Sequence, residues 1–172
     1  MLVDSSRMLA NLVVEEVGDN QQKFDELTRV ALHDQYPFSM RAARAMSLCI
    51  DKYPQLIHSL LDDIIANIEK IKTEGVKRSI LRSIASGSIP LTEDQEGYLL
   101  EICSNFIKSN SEAIAVQAYS MEIFYNISNH YPELKYELKE ILKSQLTESD
   151  STGIKTKAKN MLKVLEKETN QE

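Results

Sequence analysis

Two stretches of this chain, seventy-eight positions apart, are built alike. Tyr53-Pro54-Gln55-Leu56 is followed by Leu60 and Ile64, and Tyr131-Pro132-Glu133-Leu134 is followed by Leu138 and Leu142. Upstream of each Tyr-Pro, Met46 and Cys49 stand where Phe124 and Ile127 stand in the later copy. A repeated local sequence points to a repeated supersecondary unit, so the chain is expected to fold as a series of like pieces. Seventy-eight is too long for one helical hairpin and is close to twice thirty-nine, so a degenerate copy should lie between. Ile80 and Ile84 take the places of Ala42 and Met46, and Leu99, Cys103 and Ile107 echo Leu56, Leu60 and Ile64. Beyond Phe124, Leu162 with Ala158 and Leu165 continues the series, while Leu9, Leu12, Phe24, Leu27 and Ala31 fit it more loosely, as an end unit should.

Within each piece the apolar residues recur at helical spacing, and no alternating strand pattern is found. The clearest stripe is Leu56, Ile57, Leu60, Leu61, Ile64, Ile65, Ile68 and Ile71, broad enough to be covered on more than one side. The spacing predicts helices over 5–17, 20–33, 38–52, 54–72, 75–86, 93–108, 111–130, 132–147 and 153–168. Their ends have chemical causes. Gly18 can take a positive φ and close the first helix, and Asn20 can cap the second. Pro37, Pro54 and Pro132 suit first turns, where a missing amide hydrogen costs nothing. Thr92 with Gln95 has the form of a capping box, and Ser151 or Thr152 can begin the last helix.

Composition narrows the class further. The 172 residues suit one domain or a short array of units, and with 42% hydrophobic and 27% charged residues the chain can bury a core. Only five Gly and four Pro punctuate it, too few for sandwiches or barrels that turn every few residues. Lys plus Arg number 20 against 26 Asp plus Glu, a net charge of −6, so a phosphate backbone meets a repulsive field. Cys49 and Cys103 lie in apolar helical patterns without a Cys or His at ligand spacing, and read as small buried hydrophobes. Met1-Leu2-Val3-Asp4-Ser5-Ser6-Arg7 lacks the basic start and apolar run of a signal peptide, and no apolar stretch reaches the length of a membrane span. The expected setting is the cytoplasm.

The period, with Leu48-Cys49-Ile50-Asp51-Lys52-Tyr53-Pro54 and Ile127-Ser128-Asn129-His130-Tyr131-Pro132, resembles the HEAT-like repeats of armadillo-type alpha solenoids. Asp51 matches that family's turn aspartate, Asn129 replaces it in the later copy, and the family's downstream arginine has no counterpart. The resemblance implies an all-α fold: a right-handed alpha-alpha superhelix of about four helical hairpins plus a terminal helix, as one domain over residues 1–172. Stacked hairpins then bury what each alone cannot, and the second helices line one side. A compact helical bundle with an accidental period is the competing architecture.

Chemistry is sparse. The five glycines stand singly at 18, 75, 87, 97 and 153, so no phosphate loop exists, and no nucleophile-elbow motif appears. His33, His58 and His130 lack a ligand partner at i+4; His33 and His130 sit near predicted helix ends, where a cation meets the negative end of the dipole. Glu15-Glu16, Asp25-Glu26, Asp62-Asp63 and Glu93-Asp94 are adjacent pairs that diverge by about a hundred degrees on a helix and cannot share a site. No catalytic residue, cofactor or metal ligand is therefore assigned.

A charge asymmetry is more informative. Arg41, Arg44, Lys77, Arg78 and Arg82 lie on first helices, whereas Asp62, Asp63, Glu69, Glu93, Asp94, Glu96 and Glu101 lie on second helices. Superposing the second helices puts Glu26, His58, Asp62, Glu101, Asn105, Tyr136 and Glu140 on the inner surface. His58 matches Tyr136 across the seventy-eight-residue shift, and Asp62 matches Glu140.

These residues point to a non-catalytic interaction module or scaffold that binds another protein or peptide of basic or mixed charge, with Tyr136 as anchor. No nucleic-acid or membrane partner is expected. The enzymatic rival is a HEAT-like DNA glycosylase for alkylated bases, which would need a basic cleft and stacking aromatics, against an acidic chain without Trp. Helix 153–168 carries the apolar stripe Ile154, Ala158, Met161, Leu162 and Leu165, which must pack on the preceding hairpin, on a second copy in a homodimer, or on both.

Overall fold

The computed structural model describes residues 6–169. Its regular structure is helical throughout, with no strand among the described residues. The elements are α1 (Arg7–Val17), α2 (Gln21–Leu32), α3 (Phe38–Lys52), α4 (Leu61–Asn67), α5 (Glu74–Ala85), α6 (Glu93–Lys108), α7 (Ile114–Ser128), α8 (Leu134–Glu148) and α9 (Thr152–Thr169). Short 3-10 segments at Pro54–Leu60 and Ile68–Lys70 flank α4. Of the first predicted helix, residue 5 lies outside the described residues.

The expected caps form. Asn20 Oδ1 accepts from the Lys23 N–H at 3.0 Å, and Gly18, at φ 55°, donates its N–H to Val14 O. Thr92 and Gln95 close a reciprocal box: the Thr92 N–H donates to Gln95 Oε1 at 3.0 Å and the Gln95 N–H to Thr92 Oγ1 at 3.3 Å. At the last helix, Ser151 is the residue that caps, its Oγ accepting from the Ile154 N–H.

One predicted helix is not continuous. In place of an unbroken 54–72 the chain winds as 3-10, α and 3-10 turns, with Leu60 and Asn67 near φ −113° and −116°, ψ −4° and −7°. At the second break the Asn67 side-chain amide donates back to Asp63 O at 2.8 Å. Ile57, Ile64, Ile65, Ile68 and Ile71, stiff at χ1, add a local bias against the α-helix. The tighter winding still buries Leu56, Ile57, Leu61, Ile64, Ile65, Ile68 and Ile71, and leaves Leu60 half-exposed. Both Tyr-Pro copies start on the same turn: the Leu56 N–H donates to Tyr53 O at 3.1 Å and the Leu134 N–H to Tyr131 O at 3.0 Å.

The described chain falls into two compact units, one up to Gln95 and one from Glu96. In the first, α3 packs against α1, α2 and α5, and α2 also meets the 3-10 turn at Pro54–Leu60. Its core includes Phe24, Ala31, Ala42, Met46, Cys49, Leu56, Ile64 and Ile80, all essentially inaccessible. A bidentate pair ties α3 to α5: Arg82 reaches both Asp51 oxygens, at 2.7 and 3.2 Å, and the Ser47 hydroxyl at 2.6 Å. In the second unit α7, α8 and α9 pack on one another around Ile107, Met121, Phe124, Leu138, Leu142, Ile154, Ala158 and Leu165. The whole α9 stripe is buried in this cluster, on its own preceding hairpin. Glu168 anchors the far end of α9, accepting from Tyr125 Oη on α7 and from Lys135 Nζ on α8.

Candidate functional site

In the first unit Glu26 projects from α2, His58 from the 3-10 turn at Pro54–Leu60 and Asp62 from the first turn of α4, and all three are exposed. Each has a buried sequence neighbour, Leu27, Ile57 or Leu61, so the apolar underside of the segment fixes where the polar residue points. Asp62 is already engaged: its Oδ1 accepts from Gln95 Nε2 at 2.7 Å, and the same Gln95 closes the α6 capping box.

In the second unit Glu101 and Asn105 stand one turn apart on α6, and Tyr136 and Glu140 one turn apart on α8, again all exposed. Tyr136 is 72% exposed, with the Lys139 ammonium 5.7 Å from its ring centroid. Glu140 forms an exposed pair with Lys143 at 2.7 Å, which reduces the charge it presents. Among the described residues no hydrogen bond joins any of these seven side chains to another. Sequence reasoning passed over Tyr98, 64% exposed on α6. Its spacing to Glu101 and Asn105, i, i+3 and i+7, was the signal that places it on their face.

The two charged rows, basic on first helices and acidic on second, are not exposed throughout. Glu96 of the acidic row is buried at 6% and its Oε1 lies 2.8 Å from His130 Nδ1. The His130 ring, just past the C-terminal end of α7, therefore also meets a carboxylate. Lys77 of the basic row is buried at 7%, and Arg82 is held by Asp51. Helical periodicity separates faces but does not say which charged residues are covered by the next helix.

Both cysteines are buried as expected. Burial pushes the Cys49 thiol up to about 11 against the opposing Lys52 charge, and the Cys103 thiol to about 12 against a hydrogen bond with Ser120. No group of three or more His, Cys, Asp or Glu gathers as metal ligands among the described residues. Nor is any helix among them long and apolar enough to cross a membrane.

Residues 4–165 match the HEAT repeat domain family, nearly the whole chain. The chain is a member of the HEAT repeat family. No curated protein and no solved structure matches it. HEAT repeats generally mediate protein–protein interaction, and that is the function class the match carries. In this HEAT repeat chain the turn Asp51 does have an arginine, supplied by Arg82 of the next hairpin's first helix. Seventy-eight positions on, Asn129 and Asn160 replace both members of that pair.

A further residue that sequence reasoning missed is Asp34, between α2 and α3. It sits at φ 54°, and its carboxylate accepts from the Lys72 N–H at 2.7 Å and the Thr73 N–H at 3.0 Å, just before α5. Burial works against its ionisation, but the Thr73 and Lys72 hydrogen bonds and the Lys72 charge outweigh it and hold the carboxyl below its ordinary range. The partners lie almost forty residues away in sequence, so no local motif marks it.

Proposed function

We propose that this HEAT repeat chain is a non-catalytic interaction module or scaffold whose second helices present the binding faces. Glu26, His58 and Asp62 form the face of the first unit, and Glu101, Asn105, Tyr136 and Glu140 that of the second. The partner is a protein or peptide of basic or mixed charge, and Tyr136 is the anchor. The observation that carries this reading is the exposure of all seven side chains over a buried apolar underside, with Tyr136 72% exposed on α8. Tyrosine is among the residue types that most often carry binding energy when an interface buries them, which makes Tyr136 the anchor of choice among the seven. Capture of proteins from the native cell by wild type and by a Tyr136→Ala, Asp62→Lys variant tests it. Loss of a captured partner in the variant is expected, and an unchanged set of captured proteins overturns the reading.

A further inference from the structure

The C-terminal ends of α2 and α4 border an open pocket of about 470 Å3, lined by Leu32, Asp34, Asp63, Asn67, Lys70 and Ile71. Its walls are of two kinds. Leu32 and Ile71 are aliphatic; Asp34, Asp63 and Asn67 supply oxygen acceptors. The two Asp34 oxygens each accept one backbone N–H, the Thr73 side chain adds a further hydrogen bond, and one lone pair remains for another donor. No hydrogen bond or ion pair among the described residues engages the Asp63 carboxylate. Asn67 is fixed in orientation, since its Nδ2 donates to Asp63 O and its Oδ1 accepts from Lys70 Nζ at 3.0 Å. Two carboxylates against one ammonium leave the lining itself at −1, with the Lys72 charge acting on Asp34 from beside it, and the terminal carbonyls of α2 add negative potential at the same place.

From this arrangement we infer that the pocket receives an arginine side chain from an extended segment of a protein partner. Its methylene stem packs on Leu32 and Ile71, and its planar fork of five donors reaches Asp63, Asp34 and the Asn67 carbonyl. A lysine offers a compact, strongly hydrated point charge, which the pocket already has in Lys70.

The inference deepens the reading above by naming a side chain and a site. N-acetyl-arginine amide is titrated into the 15N-labelled chain, in parallel with the lysine and citrulline amides. Backbone resonances of Leu32, Asp34, Asp63, Asn67 and Ile71 are expected to move with arginine and hardly at all with neutral citrulline. Asp63→Asn, at an exposed position whose carboxylate holds no other group, should keep the fold and weaken the arginine response about tenfold, the size of one charge-assisted hydrogen bond. Equal responses to citrulline or lysine, or an unchanged response in Asp63→Asn, overturn the inference. It rests on the interaction reading, and the two fail separately. An arginine response in the pocket with unchanged capture by the Tyr136→Ala, Asp62→Lys variant removes the seven-residue faces alone. Capture that depends on those residues, with a silent pocket, removes the arginine site alone.

Discussion

Asp34 joins a strained backbone to two hydrogen bonds at the start of α5, so its substitutions separate the two effects. Asp34→Asn tolerates the left-handed conformation and keeps one acceptor, and should cost about 1 kcal/mol; Asp34→Ala loses both and should cost about 2 kcal/mol, read from urea unfolding. Because the folded carboxyl is held below its ordinary range, its contribution is complete above the unfolded value and is lost as pH falls through the folded one. Acid unfolding of wild type should therefore be steeper than that of Asp34→Asn. The two thiols give a second residue-scale test: with both raised and buried, a thiol reagent at neutral pH should find none in the native chain and 2 after denaturation. Burial of the cysteines was legible from their apolar neighbours. Asp34 was not, because a capping aspartate is recognisable only when the helix it serves follows within a few residues.

The buried stripe of α9 is matched to α7 and α8 at the scale of elements. Leu165→Ala empties a site with no exposure and should cost about 2 to 5 kcal/mol. Hydrogen exchange should show the loss concentrated in α9, with Glu168 no longer held by Tyr125 and Lys135. Helix positions were legible where period and caps agree, at Asn20, at Thr92 with Gln95, and at Ser151. The stretch 54–72 was misread because its apolar pattern fits a continuous helix as well as it fits the 3-10 and α turns that bury the same residues. Partner choice among charges was illegible for a different reason. Glu96 with His130 and Asp51 with Arg82 are set by which helix packs next, and that is a tertiary fact.

For the whole molecule, repeat architecture makes stability a sum of local contributions coupled to nearest neighbours. Phe124→Ala should lower amide protection more from Glu96 onward than before Gln95, and a uniform fall across both units would contradict it. A net charge of −6 predicts passage through a phosphate-rich column at low salt; retention abolished by salt would revive the glycosylase reading. The faces were legible only as rows of exposed positions, because one sequence shows where a side chain points and not what meets it. Gln95 gives those rows an internal reporter. Its amide nitrogen grips Asp62 while its carbonyl oxygen restrains Thr92 at the onset of α6. A visiting cation that takes Asp62 competes for half of that grip, so recognition at the surface and fraying of a neighbouring coil become two readings of one event.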